Sequence, residues 1–314
     1  MKAVAITEFN ATLDTTEVTA PTPSDGEVLI DVAFSSINGM DAMTWAGHIE
    51  GMMPYEMPIT LGRDFSGTVA ALGPGVTDFR VGDAVFGLLM NMPLHAGTFA
   101  EQTVVPAGGI AKQPNGIDAA AAGALGLAGT AAKMGIDALA PRTGDTLVIW
   151  GATGGVGAIA IQLAKSAGAT VIASAATSEE AAFVRDLGAD ETVDYRKDVV
   201  EEIKVSHPNG VDAILHAAGD GIALADLVRP GGRFASTLGV GSDQLGDRDI
   251  AATVVMAVPN PQLLRELAGD VADGSLRVPI STTYSLDHVA QALKDFGSGP
   301  LGKLSVAVRQ GGTN

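Results

Sequence analysis

Up to about Pro114 the chain alternates short β-branched runs with Gly, Pro, Asn and Asp, as in Gly26-Glu27-Val28-Leu29-Ile30-Asp31-Val32 and Gly67-Thr68-Val69-Ala70-Ala71-Leu72-Gly73. This texture predicts half-buried strands in a β-rich, barrel-like domain. From about Asp118 the pattern turns to an Ala-rich helix, then to strands alternating with helices, as in βαβ units of a parallel sheet. Strands are expected at Thr146–Trp150, Thr170–Ala173, Val211–Leu215 and Arg233–Ser236, with a helix over Val156–Ala167. After Pro259-Asn260-Pro261 the pattern predicts a helix Gln262–Asp273, a strand near Thr282–Tyr284, a helix Leu286–Phe296 and a last strand Lys303–Val308. That tail is placed to rejoin the first domain. The fold class is therefore α/β, with a doubly wound sheet beside a β-barrel domain.

Composition removes several classes of function. With 46% hydrophobic and 18% charged residues among 314, the chain has ample core for two domains and is not disordered. Its 36 acids against 19 bases leave −17, with no local block of Lys or Arg, which argues against a nucleic-acid partner. There is no cysteine, so no disulfide, thiolate nucleophile or Cys-ligated metal exists, and the five histidines never fall at helix-ligand spacing. The N-terminus becomes charged before an apolar leader forms, and the longest uncharged stretch, Ala119 to Ala132, is short and Ala/Gly-rich. A cytoplasmic protein without a membrane partner is the expectation.

Gly151-Ala152-Thr153-Gly154-Gly155-Val156-Gly157 directly follows a predicted strand and opens a predicted helix. Glycines there permit a tight turn, close approach of a pyrophosphate to backbone N–H groups, and helix-on-strand packing. Ala152 holds the first glycine slot; Gly154 and Gly157 hold the more demanding second and third. A dinucleotide is the reading. The end of the next strand, Ala173-Ser174-Ala175-Ala176-Thr177-Ser178, carries no acid to accept a ribose diol. Ser174, Thr177 and Ser178 can donate to phosphate oxygens, which favours NADPH over NADH, though the same residues also serve as helix caps.

The blocks Leu61-Gly62-Arg63-Asp64-Phe65-Ser66-Gly67-Thr68-Val69, Val81-Gly82-Asp83-Ala84-Val85-Phe86-Gly87, Ala152–Gly157, Leu187-Gly188-Ala189-Asp190, Pro230-Gly231-Gly232-Arg233 and Leu301-Gly302-Lys303 closely resemble the medium-chain dehydrogenase/reductase superfamily. The branch they resemble is the zinc-independent, zeta-crystallin-like quinone oxidoreductases and related enoyl reductases. The resemblance implies a discontinuous GroES-like catalytic domain, residues 1–122 and 262–314, around a Rossmann domain, residues 123–261. Zinc-dependent members hold a catalytic metal on Cys, His and a third ligand; the matching positions here are Asn38, Arg63 and Leu127, so no metal is expected. What remains is hydride transfer from NADPH to a quinone or another activated conjugated acceptor, with the protein offering a donor to the developing oxyanion.

Catalytic candidates are Asn38, Asp41 and Tyr55, with Trp45, His48 and Tyr55 as acceptor-pocket residues. Each also has a plain reading: Asn38 satisfies a turn, Asp41 a helix start, Tyr55 and Trp45 serve as pocket wall or packing, and proton delivery from solvent is equally consistent. For the cofactor, resemblance implies Tyr195 as a neighbour of the 2′-phosphate or adenine with Arg196 as an adjacent positive charge, and Asn38 and Thr130 at the nicotinamide end; a cofactor lying across the carboxyl ends of the sheet would also take backbone contacts at Ala218, Leu238 and Gly239. Relatives often carry a Lys early in the helix after the second strand; Ala181 stands in that place, so selectivity for NADPH should be modest. Short-chain dehydrogenases need Tyr-x-x-x-Lys, and the residues four after Tyr55, Tyr195 and Tyr284 are Ile59, Val199 and His288. Two alternatives stay open: an enoyl reductase for an α,β-unsaturated ketone or thioester, and a non-catalytic NADPH-binding sensor. The apolar run Ile250 to Val258 reads as an edge strand that pairs with a twin, making a homodimer.

Overall fold

A computed structural model describes residues 1–309. They gather into two compact units: residues 1–130 with the residues from 258 on, and residues 131–257. In the first unit the strand Glu27–Ser36 is the spine of a seven-stranded sheet. Its alternation works as the pattern demands, with Val28, Ile30 and Val32 fully buried. It pairs antiparallel with Asp64–Leu72 and Gln102–Pro106, and the sheet continues through Ala84–Leu88 to Ile110–Lys112. On the other flank Lys303–Ala307 pairs with its end, Ser305 opposite Ser36, and Ile280–Ser285 follows in parallel. The tail does rejoin the first domain, and the pairing delivers Lys303 to the segment around Asn38. Val4, Ile6, Phe65, Phe99, Val289 and Leu293 belong to the core beneath, each worth about 1.5–3 kcal/mol of burial.

The Ala-rich helix Ala119–Leu139 starts where Asp118 Oδ1 accepts the N–H of Ala121 at 2.8 Å. By length and composition it is apolar enough to cross a membrane, but 72% of its apolar window is buried inside the protein, as for a core helix. The boundary between the units falls within this helix, after Thr130, because a continuous helix need not break where composition shifts.

The second unit is a six-stranded parallel sheet in the order Glu191–Val193, Thr170–Ser174, Thr146–Trp150, Val211–His216, Val228–Ser236, Ile250–Val254. Counted within the unit this is 3-2-1-4-5-6, the doubly wound order whose switch point lies between Thr146–Trp150 and Val211–His216. Three sequence expectations need correction. The strand expected at Arg233 begins at Val228, because an irregular register between Val211 and Ala213 absorbs Pro230-Gly231-Gly232. The strand expected over Ile250 to Val258 ends at Val254, since its one partner strand among the described residues ends at Ser236. The helix expected at Leu286–Phe296 opens as a 3₁₀ turn, Leu286–His288, before Val289–Phe296. Glu191–Val193, three residues long, is too short for a periodic signal.

Candidate active site

The glycine turn lies at the carboxyl end of Thr146–Trp150, and the helix Gly155–Ser166 begins from it. Gly157 is obligatory for that packing: a Cβ there would meet Gly151 O at 2.3 Å and Ala152 Cα at 2.5 Å. Gly154 differs, since its Cβ would find nothing nearer than Gly151 O at 3.6 Å. As the N-cap it offers the helix no side-chain acceptor, and the first turn holds no acid. The first-turn N–H groups of Gly155, Val156 and Gly157 therefore lack a capping side chain, and Thr153 to Val156 are partly exposed. Such a turn fits the pyrophosphate of a dinucleotide. Ala218 abuts it, its Cβ 2.8 Å from where a Gly151 Cβ would be. Leu238 and Gly239 leave the next strand in a loop held by Ser236 Oγ, which accepts from Leu238 N at 3.1 Å and Val240 N at 3.2 Å.

Ser174 is buried, and its Oγ accepts from Gly151 N at 3.0 Å and Ala152 N at 3.2 Å, so it braces the turn. Thr177 caps the helix Ser178–Asp186 by accepting from Glu180 N, with Ser178 exposed beside it. Tyr195 packs edge-on against Trp150, centroids 6.4 Å apart. The residue that organises this end is Glu180: Oε2 accepts from Ala176 N at 2.5 Å and Oε1 from the Tyr195 hydroxyl at 3.2 Å. Partial burial, then the Glu180 charge, push the Tyr195 hydroxyl above its ordinary pKa. Arg196 is engaged too, with Nε and Nη2 each 3.0 Å from Asp194 and Nη2 also donating to Ala176 O. That hydrogen bonding holds Asp194 down to about 2. Sequence reasoning missed Glu180; the signal was an acid placed to reach back from the first helical turn to the strand end.

In the first unit Asn38 and Asp41 come together with residues the sequence did not single out. Asn38 precedes the short helix Gly39–Trp45, and its backbone N–H donates to Asp41 Oδ2 at 2.8 Å, while Gly62 N donates to Asp41 Oδ1 at 3.0 Å. Asp41 is fully buried, and desolvation lifts its pKa to about 6 against the pull of Arg63. Arg63 is itself buried; Nη1 donates to Ala96 O at 3.1 Å, and Nε and Nη2 have no partner among the described residues. Asp64 is a hub. Its Oδ1 accepts from Leu127 N at 2.5 Å, and its Oδ2 from Ser36 Oγ at 2.5 Å and Asn38 Nδ2 at 2.9 Å. Lys303, also buried, lies 3.4 Å from that carboxylate and 2.6 Å from Asn38 Oδ1. Desolvation pulls the Lys303 pKa down, and the charges of Asp64 and Asp41 oppose it.

The other candidates stand apart from this cluster. Trp45 Nε1 donates to Ala11 O at 2.8 Å, and the ring helps line a cavity of about 500 Å³ with Leu13, Ala42, Leu293 and Lys294. Tyr55 donates to Glu50 at 3.3 Å and packs against Phe9; partial desolvation and the Glu50 charge raise its pKa. His48 is exposed. Thr130 is buried with its hydroxyl unpartnered among the described residues, so a hydrogen-bonding ligand fits there. The positions matched to zinc ligands present an amide, a guanidinium and an alkyl group, a donor set that does not fit Zn²⁺.

Two family models match: an alcohol dehydrogenase GroES-like domain over residues 24–115 and a zinc-binding dehydrogenase domain over residues 155–260. The structure is similar to a quinone oxidoreductase from Coxiella burnetii, with TM-score 0.89 and 28% identity over 98% of this chain and 99% of that one. It is similar to an alcohol dehydrogenase superfamily protein from Novosphingobium aromaticivorans, with TM-score 0.87 and 30% identity over 98% and 100%. A mycobacterial protein solved in complex with NADPH gives TM-score 0.86 and 26% identity over 98% and 100%. In sequence, a mycocerosic acid synthase-like polyketide synthase of Mycolicibacterium smegmatis is 32% identical over 319 residues. The alignment covers 91% of this chain, which spans only 14% of that relative's length. The glycine turn at the switch point, the two-unit architecture and these likenesses agree: the chain belongs to the medium-chain dehydrogenase/reductase superfamily, in its quinone oxidoreductase branch.

Proposed function

We propose that this enzyme is a zinc-independent, NADPH-dependent reductase that passes hydride to a quinone or another activated conjugated acceptor. The observation that carries the reading is the uncapped glycine turn at the switch point, together with an Asn, Arg and Leu where zinc-dependent relatives hold a metal. Thr153 to Gly157 would hold the pyrophosphate, Ala218, Leu238 and Gly239 would flank it, and Thr177, Ser178, Tyr195 and Arg196 would meet the adenosine end. Bound there, the cofactor supplies the hydride. An acceptor already electron-poor needs no Lewis acid, so the protein's work is to align reactants and exclude water. The similar mycobacterial structure holding NADPH supports the phosphorylated cofactor. The carboxylates of Glu180 and Asp194 beside Tyr195 and Arg196 keep the preference over NADH small.

The likeness to a polyketide synthase favours a second reading within the same chemistry, reduction of an α,β-unsaturated ketone or thioester. Small-molecule acceptors, a homodimer and no nucleic-acid or membrane partner complete the proposal. The test is NADPH oxidation with 1,4-benzoquinone, an enone and an enoyl thioester, with and without EDTA. Turnover unaffected by EDTA is expected, and the best acceptor chooses between the readings. Tight NADPH binding without oxidation across the panel overturns both.

A further inference from the structure

Among the described residues of the second unit three polar side chains are buried, Ser174, His216 and Ser236. Each is the last residue of its strand, in Thr170–Ser174, Val211–His216 and Val228–Ser236. Burying a polar group is costly unless its hydrogen bonds are made, and here the cost falls at the strand ends where a doubly wound sheet takes its ligand. Ser174 braces the glycine turn. His216 and Ser236 do comparable work for the loops beside it. The His216 ring is 1% exposed, lies 6.0 Å from the Phe234 ring, and meets Gly221 so closely that a Cβ there would stand 2.6 Å from Nδ1.

The partners determine where the protons are. Gly219 O can only accept, and His216 Nε2 lies 3.1 Å from it, so Nε2 carries a hydrogen. Ser236 Oγ accepts the Leu238 N–H at 3.1 Å and the Val240 N–H at 3.2 Å, which fills both of its lone pairs. Its own hydrogen is all that remains, and that hydrogen is donated to His216 Nδ1 at 3.0 Å. Nδ1 is therefore bare, and the ring is the neutral Nε2–H tautomer. Turning the ring over would set carbons against both partners, so the same bonds fix its orientation.

Two loops hang from this one imidazole. Through Gly219 it holds residues 217–221, which include Ala218 against the glycine turn, and through Ser236 it holds residues 237–241. Ala218, Leu238 and Gly239 are exposed, so packing of their own side chains does little to fix them. We propose that His216, as the neutral Nε2–H tautomer, is a positioning residue that, with Ser236, presets the backbone of both loops for the dinucleotide. Binding then does not have to order them. This rests on the dinucleotide reading above. Buried beneath the loops, His216 and Ser236 act through backbone and not by touching a ligand.

A long-range proton–nitrogen NMR spectrum of the wild type without cofactor reads the ring directly. Nδ1 bare and Nε2 protonated is expected, with slow amide exchange at Leu238 and Val240 even though Leu238 is exposed. A proton on Nδ1, or exchange as fast as in an open loop, overturns the proposal. NADPH is then titrated into the wild type, His216→Phe, Ser236→Ala, the double variant and His216→Asn. His216→Phe and Ser236→Ala are each expected to weaken NADPH about tenfold, and the double variant no further, because the two act as one unit. In His216→Asn, whose Oδ1 can stand where Nδ1 stood, Leu238 and Val240 stay protected and the loss is about threefold. A merely structural role would lower the melting temperatures and leave the dissociation constant of the folded protein within about twofold. That outcome, or losses that add in the double variant, overturns the proposal. If His216→Phe does not fold, the wild-type spectrum and Ser236→Ala still decide. A wild type with the expected ring and amides that binds no NADPH overturns the dinucleotide reading, and the positioning role with it.

Discussion

Glu180 makes the adenosine end hard to reconcile with strong selectivity for a phosphorylated cofactor. Its carboxylate already takes the Ala176 N–H and the Tyr195 hydroxyl, groups that a 2′-phosphate would use. An incoming dianion must displace it and then tolerate its charge. Glu180→Gln keeps the acceptor and removes the charge, so the KM for NADPH should fall about three- to tenfold while that for NADH moves less than about twofold. Initial rates with both cofactors decide this, and an unchanged NADPH value would mean that Glu180 swings clear on its own. Asp41 gives a second prediction. Its folded pKa of about 6 lies above the ordinary 3.8, so between those values the native state binds more protons than the unfolded chain. The contribution from Asp41 is therefore greatest below about pH 4 and is lost as pH rises through about 6. Denaturation of wild type and Asp41→Asn from pH 4 to 7 should show the difference shifting in favour of Asn, by on the order of 3 kcal/mol at most. Asp41's place at a helix start was legible from local sequence, whereas Glu180's role was not: Ser174 and Thr177 were singled out by their place after a strand and Tyr195 by resemblance, but Glu180 acts through a reach-back contact. Asp64 and Lys303 meet only because strands 239 positions apart in the chain share a sheet.

Elements were most legible where three periods follow one another without a gap, as in the apolar strand Thr146–Trp150, the glycine turn and the helix after it. They were least legible where tertiary pairing overrides local chemistry, as where Pro230-Gly231-Gly232 enters a strand. Within the turn the structure separates two glycines that a sequence pattern treats alike. Gly157→Ala drives a methyl into the fixed backbone of Gly151 and Ala152, so a loss of about 1–3 kcal/mol is expected, with cofactor binding falling as the turn distorts. Gly154→Ala has open space around its Cβ. It should leave the melting temperature within about two degrees yet weaken NADPH about tenfold or more, because the methyl occupies the approach to the uncapped N–H groups. Thermal melts paired with fluorescence titration check both. Equal losses of stability in the two variants would contradict the distinction.

At the scale of the whole molecule two tendencies compete. The strand Ile250–Val254 is the last of the six-stranded sheet, and its end residue Val254 and the nearby Met256 are 42% and 71% exposed. An edge of that kind has unpaired backbone groups and apolar side chains to offer a second copy. Against this, each chain carries −17, and two such bodies repel over a distance that shrinks to about 10 Å at 0.1 M salt. If the proposed homodimer forms through this edge, light scattering at low protein concentration should show its fraction rising with added NaCl. A dimer held mainly by ion pairs would weaken instead. Val254→Lys puts a charge on the edge and adds to no catalytic group, so it should give a monomer that still binds NADPH, since the glycine turn belongs to a different strand of the same sheet. A Val254→Lys protein that remains dimeric at every salt concentration would move the interface elsewhere, and a wild type that stays monomeric in high salt would end the dimer proposal while leaving the dinucleotide site untouched.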